Sequence, residues 1–311
     1  MKNKYSFYTI LVFITGICNF SCSNKMKEEI KIDPIVNLNL SASIIPDITY
    51  HIVDDFEIKL DVIAPRIYLG KDPWYKYEGK KRPVLLFMHG GGWMAGDKAA
   101  STIDLMPYAA RKWAIVNINY RLADVAKAPA AVVDARKALE WIYENADEYY
   151  FDTNNIVAAG ESAGAHLALM TGLLEKNDSL CGNKYVVEND YKVSAIINWN
   201  GSSNLMFQEF RGHPWLDPED NFEIASKSLS PITYLGQNSP PIISVQGTQD
   251  PFVPIEGSEK LHELCKEFGI KNKLVKIEGK GHGNFSAEER TFIYDEIWDF
   301  FDEIGVKTSG E

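Results

Sequence analysis

The sequence predicts an α/β protein with a mostly parallel central sheet, helices on both faces and a small lid insertion. Three observations predict it. From about residue 49 onward, short Val/Ile/Leu-rich runs alternate with helical patterns, and strands that alternate with helices build a parallel sheet. Some of these runs, such as Val84 to Met88 and Ile156 to Ala159, are apolar throughout, as strands covered on both faces must be. Two of them run straight into glycine-rich turns, His89-Gly90-Gly91-Gly92-Trp93 and Gly160-Glu161-Ser162-Ala163-Gly164.

Taken in order, the chain opens with a targeting pattern. Lys2 and Lys4 precede an apolar run from Tyr5 to Cys18, which is short against the roughly 20 residues of a membrane span and reads as a signal peptide over 1–21. The small residue before Cys22 is similar to the lipobox of bacterial lipoproteins, although Asn19 stands where that motif usually has Leu. Cleavage and lipidation at Cys22 are the expectation, with plain cleavage nearby as the alternative. Either route is expected to export the protein, to the periplasm, to an outer-membrane anchor or, as the alternative, by secretion. Cleavage removes two lysines and no acid, taking the formal charge from −11 to −13. A polar tether over 22–44 then leads to one domain over 45–311.

Within that domain, Thr49 to Val53 and Glu57 to Ala64 read as two antiparallel edge strands. Val84 to Met88, a helix from about Ala99 to Lys112, and a strand from Ala114 to Asn119 follow. Next come a helix from Ala131 to Ala146, the strand Ile156 to Ala159 and a helix from Ala165 to Glu175. Val193 to Trp199, Ile242 to Gln246 and Lys273 to Ile277 supply later strands, and a helix from Ala287 to Phe301 closes the domain. No repeat, linker or low-complexity tract divides it.

Composition excludes several functions. The net charge of −11 and the lack of a basic stripe argue against nucleic-acid binding. A polyanionic substrate is disfavoured for the same reason unless a local basic pocket intervenes. Of four cysteines only Cys181 and Cys265 lie in the domain, too few for a disulfide framework and without metal-ligand spacing. Whether those two pair is left open.

The chemistry sits at strand ends. G-x-S-x-G between a strand and a helix holds a serine, here Ser162, on a sharp strained turn, and small flanking residues permit the close backbone approach that such a turn forces. The helix beginning at Ala163 aims its positive end at developing negative charge. In the loop after Val84 to Met88, glycines let backbone N–H groups face an oxyanion, and such donors are worth about 3 kcal/mol each. The candidates are the N–H groups of Gly91, Gly92 and Ala163.

A nucleophilic serine needs a base, and six histidines are available. His51 lies in an edge strand, His89 is expected to brace the glycine loop, and His166 to make a structural hydrogen bond. His213 falls in an insertion, and His262 is expected on a helix surface. His282 follows a strand in Gly279-Lys280-Gly281-His282-Gly283, where an imidazole can reach over the sheet edge to Ser162. Asp250, after the strand Ile242 to Gln246, is the acid that would orient it. Asp217 and Asp220 read as solvated turn residues.

At this point the chain resembles the α/β-hydrolase esterases of the hormone-sensitive-lipase-like group, and most closely the small bacterial carbohydrate acetyl and feruloyl esterases with an H-G-G-G-W loop. The matching pieces are His89 to Trp93 with Gly96-Asp97-Lys98, Asn119 to Ala123, Gly160 to Gly164 and His166-Leu167-Ala168. Ser230 to Tyr234, Gly247 to Asp250 with Val253-Pro254, and Gly281-His282-Gly283 continue the match. The order Ser162, Asp250, His282 is the order that fold uses. The resemblance implies hydrolysis through an acyl-enzyme with no metal or cofactor. Ala165 departs from a frequent second glycine and Asp124 from a usual proline, and Arg121 is expected to pair with a buried carboxylate such as Asp134.

The segment between Trp199 and Pro240 is the one sizeable insertion in this reading. A small lid suits a compact acyl group on a bulky alcohol, with Trp93, Trp199, Trp215, Phe252 and Val253 as candidate pocket walls. The function expected is a serine esterase acting on short acyl or aromatic esters, free or linked to polysaccharide, such as acetyl or feruloyl groups on carbohydrate. An aryl-formamidase-like amidase shares the same loops, and a non-catalytic binding protein on this scaffold is the reading from another class.

Overall fold

Residues 42–65 and 80–310 are described by the structure, a computed structural model. The leader, Cys22 and the tether up to residue 41 therefore lie outside the described residues. An eight-stranded sheet runs in the order β1-β2-β4-β3-β5-β8-β9-β10. Its strands are β1 (Ala42–Val53), β2 (Phe56–Pro65), β3 (Arg82–Met88), β4 (Ala114–Ile118), β5 (Phe151–Glu161), β8 (Ala195–Trp199), β9 (Ile242–Gly247) and β10 (Asn272–Ile277). A separate short hairpin is formed by β6 (Ser179–Leu180) and β7 (Tyr185–Val186).

The first two strands are antiparallel, and β2 pairs antiparallel with β4; every later pairing in the sheet is parallel. The β1–β2 link is Asp54-Asp55, both in the left-handed region at φ 49° and 65°, the backbone a two-residue type I′ turn requires. β1 begins at Ala42, inside the stretch read as tether, and β2 is an interior strand because β1 shields it.

In the central strands alternate side chains enter different cores. Val84, Leu86 and Met88 join one apolar cluster, while Leu85 and Phe87 join the other. The first cluster is covered by α3 (Ala130–Glu144), α4 (Ala163–Leu173) and α6 (Ile255–Glu267), the second by α2 (Met106–Ala110) and α7 (Ala287–Ile304). The α7 ends are set by sequence: Ser286 and Glu289 form a capping box, and Gly305 takes the left-handed C-cap at φ 75°.

The helix expected over residues 99–112 is instead two short ones, α1 (Lys98–Ser101) and α2, with Pro107 in the first turn of the second. Proline has no N–H to continue a helix from upstream, so the helix restarts there. The lid falls in the expected segment. The 200–241 segment carries α5 (Phe222–Ser228) and two 3₁₀ turns. It packs on the β6–β7 excursion, where the Cys181 N–H donates to Ser228 Oγ and Lys184 pairs with Asp217 and Asp220 at 2.9 and 2.7 Å. Those two aspartates are thus ion-paired and not merely solvated. Cys181 and Cys265 are both buried free thiols, and burial pushes them up to about 11 and about 12.

Candidate active site

The β5–α4 turn is built by exclusion. Ser162 sits at φ 55°, ψ −118°, a conformation that costs a non-glycine residue on the order of 1–3 kcal/mol. Two neighbours make it possible by having no side chain. A Cβ on Gly160 would run into the Gly164 carbonyl, and one on Gly164 would run into the carbonyls of Met88 and His89. The turn is held by the Ser162 N–H donating to the Trp199 carbonyl at 2.8 Å, and the Ser162 carbonyl accepts from His166 N–H at 3.1 Å to begin the helix. Ala165 is accommodated by Gly201, where a Cβ would collide with its methyl.

Beside this turn lies the glycine loop after β3. Gly91, Gly92 and Trp93 all have positive φ, at 122°, 60° and 58°. The N–H groups of Met94 and Ala95 donate to the Gly91 carbonyl at 3.0 Å, closing the loop on itself. Gly91, Gly92 and Ala163 line the same cleft as Ser162, and Ala163, first residue of its helix, has no intrahelical acceptor for its N–H.

Outer residues fix the loop in place. His89 braces it as expected: its ring stacks on Tyr120 at 4.4 Å, its carbonyl accepts from Tyr120 Oη at 2.9 Å, and its Nδ1–H donates to the Gly90 carbonyl at 2.7 Å. Burial holds this imidazole below its usual range. Lys98, buried, pairs with Asp47 and Asp61 at 2.8 Å each, which ties the loop to the β1–β2 hairpin. Asn117 and Asn119 of the β4 end bond the Lys98 backbone and the Asp97 carboxylate.

Across the cleft, His282 Nδ1 lies 2.7 Å from Asp250 Oδ2. With Asp250 ionised, Nδ1–H donates and the Nε2 lone pair is left for a proton. Burial pushes the Asp250 carboxyl up, but hydrogen bonds from His282 and from the Val253 and Phe252 N–H groups outweigh it and hold the group below its usual range. Gln246 adds a fourth donor, from Nε2 at 2.9 Å, and is itself held by Ser258. Both carboxylate oxygens are therefore fully engaged.

The cleft encloses about 650 Å³, within the usual range for small-molecule sites. Ser162 and His282 both line it, with Trp93, Phe252 and Val253 among its walls. Trp199 and Trp215 are not. Trp199 turns its ring to Phe285 and Tyr294 under α7, and Trp215 stacks behind Trp93 at 4.4 Å, 1% exposed.

Sequence reasoning did not anticipate Phe210, His213 and Ser202 in the wall, nor the carboxylates Asp97, Asp104, Glu161 and Glu209. Among the described lining residues there is no lysine or arginine. Gln246 was also missed, though a polar residue in a strand that is otherwise buried was a usable signal. His166 is structural as expected, with Nε2 2.7 Å from the Leu229 carbonyl. His262 is 3% exposed and bonded to Asn272, so it is a core residue and not a surface one. Arg121 forks onto Asp134 at 2.7–3.1 Å, as expected.

Comparison with known proteins bears on the fold and the family. Esterase LipC of Mycobacterium tuberculosis (strain ATCC 25618 / H37Rv) is 27% identical over 238 residues, covering 70% of this chain and 59% of its own length. The chain thus spans under two thirds of that relative. A truncated carbohydrate esterase from gut microbiota superposes with a TM-score of 0.72 at 22% identity, over 86% of this chain and 99% of that one. A thermophilic esterase of Thermogutta terrifontis, Est2, gives a TM-score of 0.66 at 26% identity over 86% and 93%; it has also been solved phosphorylated by paraoxon. A TAP-like protein profile matches residues 225–310. The BD-FAE profile matches residues 74–265, well over half of the sequence, and the chain, an α/β-hydrolase by fold, belongs to the BD-FAE family.

Proposed function

We propose that the protein is a serine carboxylic-ester hydrolase that acts through an acyl-enzyme on short acyl or aromatic esters, acetyl or feruloyl groups on carbohydrate among them. The observation that carries this reading is that the His282–Asp250 pair opens onto the same cleft as Ser162 in its strained turn. Ser162 Oγ attacks the ester carbonyl as His282 Nε2 takes its proton. Asp250 stabilises the imidazolium, and the N–H groups of Gly91, Gly92 and Ala163 receive the oxyanion. His282 then protonates the departing alcohol, and a water activated by the same imidazole releases the acid.

Substrate class follows from the walls. A cleft lined by four carboxylates and no described lysine or arginine favours an uncharged alcohol over an acidic one. The fold likeness to a carbohydrate esterase supports a sugar in that position. Export and a lipid anchor at Cys22 belong to the same proposal, and intact mass of protein extracted from membranes tests them.

The activity test is release of p-nitrophenol from acetate, butyrate and octanoate esters. Turnover is expected to be fastest on acetate and to fall about 10⁴-fold or more in Ser162→Ala. A folded wild type inert on all three esters overturns the reading.

A further inference from the structure

Beside the catalytic cleft lies a narrow crevice of about 40 Å³, lined from β3, β5, β8, α2 and α7. Asp104 and Glu161 line both spaces. The crevice walls are mainly aromatic: Phe87, Tyr108, Trp199, Phe285 and Tyr294.

Two polar groups of the crevice are unanswered. Tyr108 is 2% exposed, and its hydroxyl is buried with no hydrogen-bond partner among the described residues. Native structures rarely leave such a group empty-handed. Glu161 likewise has no ion-pair or hydrogen-bond partner among the described residues. A Cβ placed on Gly283 would stand 3.5 Å from its Oε1, so this carboxylate lies against the loop that carries His282. Asp104, by contrast, is paired with Arg290 at 3.3 Å. One negative charge is therefore left without a partner.

We propose that this crevice is a binding site for a small ammonium cation, held by the Glu161 carboxylate, the Tyr108 hydroxyl and the aromatic walls. An ammonium N–H can donate to both oxygens, while the ring faces attract its charge. An apolar guest would leave the Tyr108 hydroxyl unpaired and strip water from Glu161. An anion would meet that carboxylate directly. A hard metal ion asks for six or more oxygens, which aromatic walls do not offer. The volume is little more than the roughly 30 Å³ that one water occupies in the liquid, so the group it takes is about as large as methylammonium.

The test is calorimetric titration with methylammonium chloride at fixed ionic strength, with sodium chloride and methanol as controls. Wild type and Ser162→Ala are expected to bind it alike, with Kd about 10 mM, near the limit for a ligand of two heavy atoms. Binding is expected to weaken at least tenfold in Glu161→Gln and several-fold in Tyr108→Phe, both checked for folding by melting temperature. No binding to the folded wild type overturns the site, as does equal binding of sodium or methanol. Undiminished affinity in both variants overturns it too. The source of the cation is read from glycine ethyl ester against uncharged ethyl propionate. A kcat/KM at least tenfold higher for the glycine ester identifies the ammonium as part of the substrate, and equal values identify a free amine. Because binding is measured in Ser162→Ala as well, the site stands or falls separately from the esterase reading.

Discussion

The molecule holds two histidine–aspartate pairs that look alike by simple measures. His282–Asp250 and His51–Asp134 have N···O distances of 2.7 and 3.3 Å, imidazoles 20% and 19% exposed, and carboxylates fully buried in both cases. What differs is the second partner of each carboxylate. Asp134 is claimed by the fork of Arg121 and by its backbone N–H, so its charge is already answered. Asp250 is surrounded by neutral donors only, from Gln246, Phe252 and Val253. Its charge stays available to an imidazolium, and its histidine lines the same cleft as Ser162, whereas His51 lies on the edge strand β1. A His–Asp contact can stabilise an imidazolium only where the carboxylate's counter-charge is left for the histidine to provide.

The sharpest way to break this comparison is to neutralise each pair in turn. Asp250→Asn should lower kcat about 10⁴-fold, because the amide holds the wrong tautomer, while the melting temperature moves little. Arg121→Met should do the reverse. It leaves Asp134 buried without its cation, at a cost of roughly 3–5 kcal/mol in denaturant unfolding, with kcat on p-nitrophenyl acetate nearly retained. If Arg121→Met abolished turnover in a folded protein, the contrast drawn between the pairs would be wrong.

Acid stability separates two further histidines from the pair at the site. His166 and His262 are held neutral by burial, each lowered to about 4. The unfolded chain binds their protons from about pH 6.5 downward, so stability is lost as pH falls from there toward 4. Each should cost about 2 kcal/mol between pH 7 and pH 5. Asp250, shifted down, keeps its contribution until lower pH. Urea unfolding at the two pH values checks this, and His262→Gln should recover about half of the loss.

The smallest expected effect concerns Gln246. Replacing it by Met leaves Asp250 Oδ2 with one donor fewer and should lower kcat about tenfold, near 1.4 kcal/mol, with KM little changed. Steady-state kinetics would show it.

Much of this was readable in the residues. The strand–glycine–helix order located Ser162 and the loop at Gly91 and Gly92, because a sharp turn between a buried strand and a helix leaves a local signature. Strand-end placement found Asp250 and His282. The pocket walls were less legible. Trp199 and Trp215 were expected beside the substrate, but an indole can face either side of a sheet, and which side it takes depends on distant partners, here Tyr294 and Trp93. His262 was misplaced for the same reason, since Asn272 lies across a turn from it. The hairpin the lid packs on, β6–β7, is two residues per strand, too short to leave a periodic pattern.

The most direct test of the central claim is mass spectrometry of the protein after exposure to paraoxon, the agent that phosphorylates the Thermogutta terrifontis esterase. The account predicts one diethylphosphoryl adduct, on the peptide carrying Ser162, forming at least 10³-fold more slowly in His282→Ala and at the wild-type rate in His51→Ala. An adduct on another residue, or equal rates in wild type and His282→Ala, would contradict it.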